Sequence, residues 1–335
     1  MKRSITLKGI VGLILLWALS ACSGSANFVT NPASTISDQE SGLYRTLLIL
    51  AGVVFVIVEG GIIFAVVRYH QRRNDTVEPR QVTGSVPLEI IWTAIPIVLV
   101  GILFFLMLNT MKAVAAPPAG PGDVQVTVVG HRWWWEFDYP SLGITTANEL
   151  VIPTNANIKL TLESVDVIHS FWVPQLAGKT DVIPGQHNAM WIMASQPGDY
   201  NGQCAEFCGI EHALMRFKVV AVDKATFDQW VANQQKPAAT PTTELALQGQ
   251  KLVVNGACAG CHTIDGTAAN TGKVGPNLTH LFSRSTFAGG TYPLNDANLT
   301  AWLTNTQSLK PGNLMTIHIP ANEIPAILAY LNTLK

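Results

Sequence analysis

A chain of 335 residues is long enough for two or three domains. Its hydrophobic content of 48% against 13% charged residues is too apolar for an ordinary soluble protein and calls for membrane spans. A formal net charge of −1 argues against a nucleic-acid partner, and each of the five cysteines sits in a local pattern of its own, so none is left over for a structural disulfide.

The chain begins with Lys2, Arg3 and Lys8, followed by the apolar run "GIVGLILLWALSAC". This is the order of an export signal, assigned to residues 1–21. Its exit, "LSAC", resembles the lipobox of bacterial lipoproteins, in which the cysteine, here Cys22, is acylated and becomes the mature N-terminus. A plain signal peptide that happens to contain a cysteine is the alternative. Residues 22–42 then form an external segment. Two apolar runs follow, 43–69 and 88–111, each long enough for a transmembrane helix, so 43–111 is read as a transmembrane hairpin. Glu59 lies inside the first run and is given no role. The loop "RYHQRRNDTVEPRQ" is basic and belongs on the cytoplasmic side, which puts both outer ends in the periplasm or cell exterior. The localisation is therefore the bacterial cell membrane, with an added lipid anchor if Cys22 is acylated.

"AAPPAGPG" is a stiff linker. From 123 to 232 the pattern alternates with period two, as in "IKLTLESV" and "RFKVVAVD", and predicts an antiparallel sandwich or barrel closed by the helix "TFDQWVANQQ". "KPAATPTT", residues 236–243, is a second linker, and 244–335 is a small helical domain. The tether keeps this last domain near the sandwich, so weak docking through a small, salt-sensitive interface would suffice.

Two stretches carry chemistry. "CAGCH" gives Cys258, Cys261 and His262, two thiols for thioether links to a heme and an adjacent iron ligand. A redox dithiol or half a zinc site is the alternative, but the setting for a thioredoxin-like motif is absent. The sixth ligand comes from Met315, His318 or His280. "CAEFCGIEHALM" places Cys204, Glu206, Cys208, His212 and Met215 within twelve residues. Thiolate plus thioether favours copper over harder ions, and two bridging thiolates could hold two coppers. A zinc site or a Cys204–Cys208 disulfide would leave Met215 without a role.

These stretches, together with "SVDVIHSFWVPQLAGKTDVIPG", resemble the site loops of the dinuclear-copper subunit of heme–copper oxidases, cytochrome c oxidase subunit II. The resemblance implies a multidomain fold: a two-helix transmembrane hairpin, an all-β cupredoxin-like Greek-key sandwich and an all-α class I cytochrome c domain. It implies a dinuclear copper centre (CuA) on His169, Cys204, the Glu206 carbonyl, Cys208, His212 and Met215, with the Glu206 side chain turned toward a magnesium ion at the subunit I interface. "GHRWWWEFDY" is similar to the family's aromatic stretch, with Trp133 as the residue through which electrons pass to copper, on an exposed surface; ordinary strand packing is the alternative. "LEIIWTAIP" is similar to the start of the second transmembrane helix, which makes Glu89 the mouth of a proton path into subunit I, or simply a helix-start acid. "GPNLTHLF" is similar to the loop under the heme of class I cytochromes c, and a methionine before the last helix maps to Met315 as distal ligand, although Thr316 stands where the family has proline. A fused cytochrome c is the arrangement of caa-type oxidases.

The function expected is electron input to a proton-pumping terminal oxidase: heme c to copper, then to heme a of subunit I, where oxygen is reduced. Partners are subunit I and the other oxidase subunits, an upstream cytochrome c or cytochrome bc complex, and membrane lipid. The alternatives are the corresponding subunit of a nitric oxide reductase and, against the ligand set, a membrane copper chaperone. Twelve acids against six Lys and Arg over 123–231 give that domain −6, and 244–335 carries +1, which suits electrostatic docking or merely solubility.

Overall fold

The computed structural model describes residues 29–70, 81, 83–115 and 124–335. The export signal with Cys22, the basic loop at 71–80 and the proline-rich linker at 116–123 lie outside the described residues.

Two helices make a unit of their own: α1, Thr35–Arg68, and α2, Val86–Val114. Each has a mean hydropathy of 2.7 over its most apolar window, and no side chain in those windows is buried. In water such a surface would be untenable; against lipid tails it is the stable arrangement, because a helix satisfies its backbone internally. Helix α1 begins at Thr35, ahead of the apolar run, and α2 starts with a proline in its first turn. Glu89 sits in the first turn of α2 and Glu59 midway along α1, both exposed.

The β-rich region is a sandwich of two five-stranded sheets. One has the order β3 (Ile144–Ala147), β2 (Trp134–Tyr139), β1 (Val124–His131), β5 (Ile158–Ser164), β8 (Asn188–Ile192). The other runs β4 (Glu149–Pro153), β10 (Arg216–Val222), β9 (Gly198–Cys204), β6 (His169–Trp172), β7 (Thr180–Val182). The expectation of a purely antiparallel sandwich is corrected here: β1 pairs with β5, and β4 with β10, in parallel. Strands joined by tight turns must run antiparallel, but these pairs are far apart in sequence and free to align. Strict alternation in β5, with Ile158, Leu160 and Leu162 buried and Lys159 and Thr161 exposed, assigns one face to the core.

The core is aromatic. Trp135 meets Phe171 and Phe217 with ring centroids 5.7 and 5.4 Å away, and the two phenylalanines stack at 4.5 Å. The same Trp135 lies edge-on to His169 at 5.9 Å, so the packed core sets the orientation of that imidazole. Gly130 on β1 is required beside it: a Cβ there would fall 2.8 Å from the His169 ring.

Helix α3, Lys224–Gln234, closes the sandwich; Asp223 caps it by accepting from Thr226 N at 2.9 Å. The last domain has α4 (Glu244–Val254), α5 (Asp296–Thr304), the single turn α6 (Thr306–Leu309) and α7 (Ile324–Leu331). Its core gathers Val253, Leu281, Leu299, Leu303, Ile324, Ile327 and Leu331. The linker is not a loose tether. Ala238 N donates to Asp265 O at 3.0 Å, and His280 Nε2 to Lys236 O at 2.9 Å.

Candidate metal and heme centre

Strands β6 and β9 are neighbours in one sheet, with Phe171 opposite Cys204, so His169 and Cys204 arrive side by side. The chain then leaves β9 in a loop that returns at Met215, whose carbonyl accepts from Cys204 N at 3.0 Å. This folds the loop's side chains inward. One ligating atom each of His169, Cys204 and Cys208 lies within 4.8 Å of the others, all three residues buried. The Sγ atoms of Cys204 and Cys208 are 3.7 Å apart, both free thiols, which removes the disulfide reading. Cys208 Sγ is also 3.7 Å from His212 Nδ1 and 3.7 Å from Met215 Sδ. Cys204 Sγ is 3.9 Å from His169 Nδ1 and 3.2 Å from the Glu206 carbonyl, while the Glu206 side chain is exposed. All six residues of the expected set therefore converge.

The electrostatics of the site suit cations. The hydrogen bond from Cys208 holds the Cys204 thiol down to about 3, and that thiolate with burial pushes Cys208 up, so the pair shares one proton. A metal would displace that proton. Burial works against a charged His169, but its Nε2 lies 2.9 Å from Asp166 Oδ1, and the net effect raises its pKa. Asp166 also accepts from Arg132 N at 2.7 Å and Val167 N at 2.6 Å, which fixes the carboxylate that fixes the imidazole. Asp166 was not singled out from sequence; its place three residues before His169 was the available signal.

A cavity of about 430 Å³ opens beside this centre. The cytochrome-like domain contributes Cys261, His262, Trp302 and Met315 to its wall, and the sandwich contributes Trp133 and Trp134. His262 uses Nδ1 on Pro276 O at 2.8 Å, leaving Nε2 free, and its burial lowers its pKa and keeps the ring neutral, as an iron ligand must be. Met315 lines the same cavity, and its Sδ accepts from Trp302 Nε1 at 3.2 Å. Cys258 and His318 line a smaller neighbouring pocket of about 270 Å³, whose wall shares Ala257 and Ile317 with the first. His280 has both ring nitrogens committed, to Lys335 O at 2.7 Å and Lys236 O. Of the three candidate sixth ligands, Met315 alone shares a cavity with His262. An apolar slot with this donor pair fits a heme.

Trp133 is only 8% exposed, not on an open surface as expected; Lys310 and Gly289 of the cytochrome-like domain close over its carbonyl. Its Nε1 donates to Cys208 O at 3.0 Å. Gly209, at φ +119°, lets the indole lie against the loop; a Cβ would come 3.0 Å from Trp133 Cζ2. Three more residues escaped the sequence reading. Lys310 Nζ donates to Trp133 O at 3.2 Å and lies 3.0 Å from Glu211 Oε2 as an ion pair, both side chains almost fully buried. Burial pushes Glu211 up and Lys310 down, and each is partly restored by the other. Glu149 Oε1 accepts from Ser285 and Thr286 across the same interface.

Over 326 residues the chain is 36% identical to "Cytochrome c oxidase subunit 2" of Alkalihalophilus pseudofirmus, covering 95% of this chain and 94% of that relative. The chain belongs to the cytochrome c oxidase subunit 2 family. A second relative of that name, from Bacillus subtilis, is 33% identical and covers 99% of this chain and 98% of its own. The family descriptions match in three pieces: the subunit II transmembrane domain over 23–112, the subunit II periplasmic domain over 143–222, and cytochrome c over 246–335. Among solved structures, the periplasmic domain of subunit II of Bradyrhizobium japonicum is 30% identical, with a TM-score of 0.34, covering 35% of this chain and 96% of that one. Subunit 2 with a fused cytochrome c is thus a membrane component of a heme–copper terminal oxidase, associated with subunit I and serving electron input. Membership implies a dinuclear copper centre, and the cytochrome c match implies a heme c.

Proposed function

We propose that this chain receives electrons at a heme c held by Cys258, Cys261, His262 and Met315 and delivers them to a dinuclear copper centre held by His169, Cys204, the Glu206 carbonyl, Cys208, His212 and Met215. When bound, these groups supply one-electron chemistry, with oxygen reduced in subunit I. The rest is the work of the chain. The aromatic core and Asp166 orient His169; the paired thiolates would hold the coppers and spread their charge. Trp302 orients the Met315 sulfur. The observation that carries the reading is Trp133, a residue that lines the heme cavity while its indole Nε1 is bonded to the carbonyl of Cys208. It joins the two sites through one side chain and one hydrogen bond.

Around this centre, Glu206, exposed beside the thiolates, presents its carboxylate to subunit I and a magnesium ion. Glu89, exposed in the first turn of α2, stands at the mouth of a proton path used in proton translocation. Cys22 supplies a lipid anchor on the periplasmic face of the inner membrane, and a cytochrome c or cytochrome bc complex is the outside donor. The direct test is metal and optical analysis of the full-length protein: two coppers and one covalent heme c per chain. One copper, or zinc in its place, in properly matured protein contradicts the reading.

A further inference from the structure

A tethered carrier that docks weakly should keep its charged groups at the rim of a wet interface, where ions screen them. This chain does the reverse. Lys310, from the turn after α6, enters the sandwich domain, where it is 3% exposed and reaches both Glu211 and the Trp133 carbonyl. Glu149, from β4 of the sandwich, goes the other way and is 5% exposed. Its Oε1 gathers Ser285 N at 2.9 Å, Ser285 Oγ at 2.6 Å, Thr286 N at 2.8 Å and Thr286 Oγ1 at 2.8 Å. Between the two anchors the backbones themselves join. Arg216 N donates to Gly289 O at 2.8 Å and Thr291 Oγ1 to Leu214 O at 2.9 Å. Gly289, at φ +72°, sits so close that a Cβ would fall 2.8 Å from Trp133 O and 2.9 Å from Leu214 O.

We propose that Lys310 and Glu149 form a reciprocal lock that keeps the cytochrome domain seated over Trp133 throughout turnover, making it a fixed relay rather than a swinging carrier. The reasoning is about what undocking would leave behind. Lys310 of the cytochrome domain and Glu149 of the sandwich are buried charges whose side-chain partners all belong to the other domain. Separation would strip both of those partners at once and reopen the cavity wall. Lys310 is a positioning residue: it acts on the Trp133 backbone and on the loop carrying Cys208 and His212, and touches no copper ligand. The lock deepens the electron-input reading and rests on it for its purpose, but not for its existence.

The test uses the full-length protein in detergent. Amide hydrogen exchange is read at Arg216, Ser285 and Thr286, whose N–H groups bond across the contact. Heme-to-copper electron transfer is read by flash reduction. Both should be unchanged between about 50 and about 500 mM salt, a range in which the Debye length shrinks about threefold. Lys310→Met should speed exchange at the three amides by roughly tenfold or more and slow the transfer, while Lys310→Arg, which keeps the charge and donors, should recover most of both. Glu149→Ala, at a residue outside both proposed ligand sets, repeats the test at the other anchor should Lys310→Met fail to mature. Fast exchange at these amides in the unaltered protein, a salt-dependent transfer rate, or wild-type exchange in every matured variant would overturn the lock. A protein with protected amides but no copper signal would overturn the proposed function and leave the lock standing.

Discussion

The indole nitrogen of Trp133 donates a 3.0 Å hydrogen bond to the carbonyl of Cys208. A residue that lines the heme cavity is thereby tied to the main chain of a copper ligand. Trp133→Phe keeps the ring and removes the donor. Both centres should keep their spectra, stability should fall by about 1 kcal/mol from the orphaned carbonyl, and heme-to-copper transfer should slow. Flash reduction of heme c followed at the copper band measures it. An unchanged rate would move attention to Trp134, which also lines the cavity.

Asp166 holds the outer nitrogen of His169 and leaves Nδ1 to face the thiols. Asp166→Asn should weaken copper binding by roughly 10- to 100-fold, the usual effect of removing such a partner, with the cysteines and the fold intact. A competition titration against a copper chelator reads the change directly.

Met315 and His318 can be told apart. Met315→Ala should alter the heme spectrum, and Met315→His should keep the heme but lower its potential, since imidazole favours the oxidised iron over thioether. His318→Ala should change neither, because that side chain lines the other pocket. An altered spectrum in His318→Ala alone would reassign the ligand.

Two neighbours on β1 and β2 titrate in opposite senses. Burial, helped by Asp138, pushes Glu136 up to about 7, and burial takes His131 down to about 4. A raised acid binds more protons folded than unfolded, so the Glu136 contribution is full below about 4.5 and is lost as pH rises through about 7. A lowered histidine binds fewer, so the His131 contribution is full above about 6.5 and is lost as pH falls through about 4. Between these limits the slopes oppose, and the intact protein should show a nearly flat stability profile. Glu136→Gln should remove one slope, giving a gain of about 3 kcal/mol or less at pH 8 and a loss of stability on acidification. Denaturant unfolding of the copper domain at several pH values checks it.

Much of the candidate site was legible because it is local. Cys204, Glu206, Cys208, His212 and Met215 share one loop, and loop spacing survives into three dimensions. His169 was reachable only by resemblance, since nothing in a lone histidine announces that β6 will lie beside β9. The strands themselves read cleanly from alternation, yet the two parallel ladders did not, because alternation fixes which face is buried and is silent on partner and direction. The proposed lock departs from the expected weak, salt-sensitive interface for a related reason. Glu149 lies 136 residues from Ser285, and Lys310 lies 177 from Trp133. Charges counted over whole domains describe fields at a distance; they say nothing about one lysine and one glutamate that are taken out of water and matched to specific atoms.

The reciprocal anchors also bear on how far this chain can be treated as modular. A chimaera joining the copper domain of one relative to the cytochrome of another would preserve every metal ligand and still lose the contact, unless a lysine faced Glu211 and a Ser–Thr pair faced Glu149. Substitutions on the two sides should therefore be tolerated in pairs rather than singly, and the cytochrome is best regarded as grafted tissue, matched to its host.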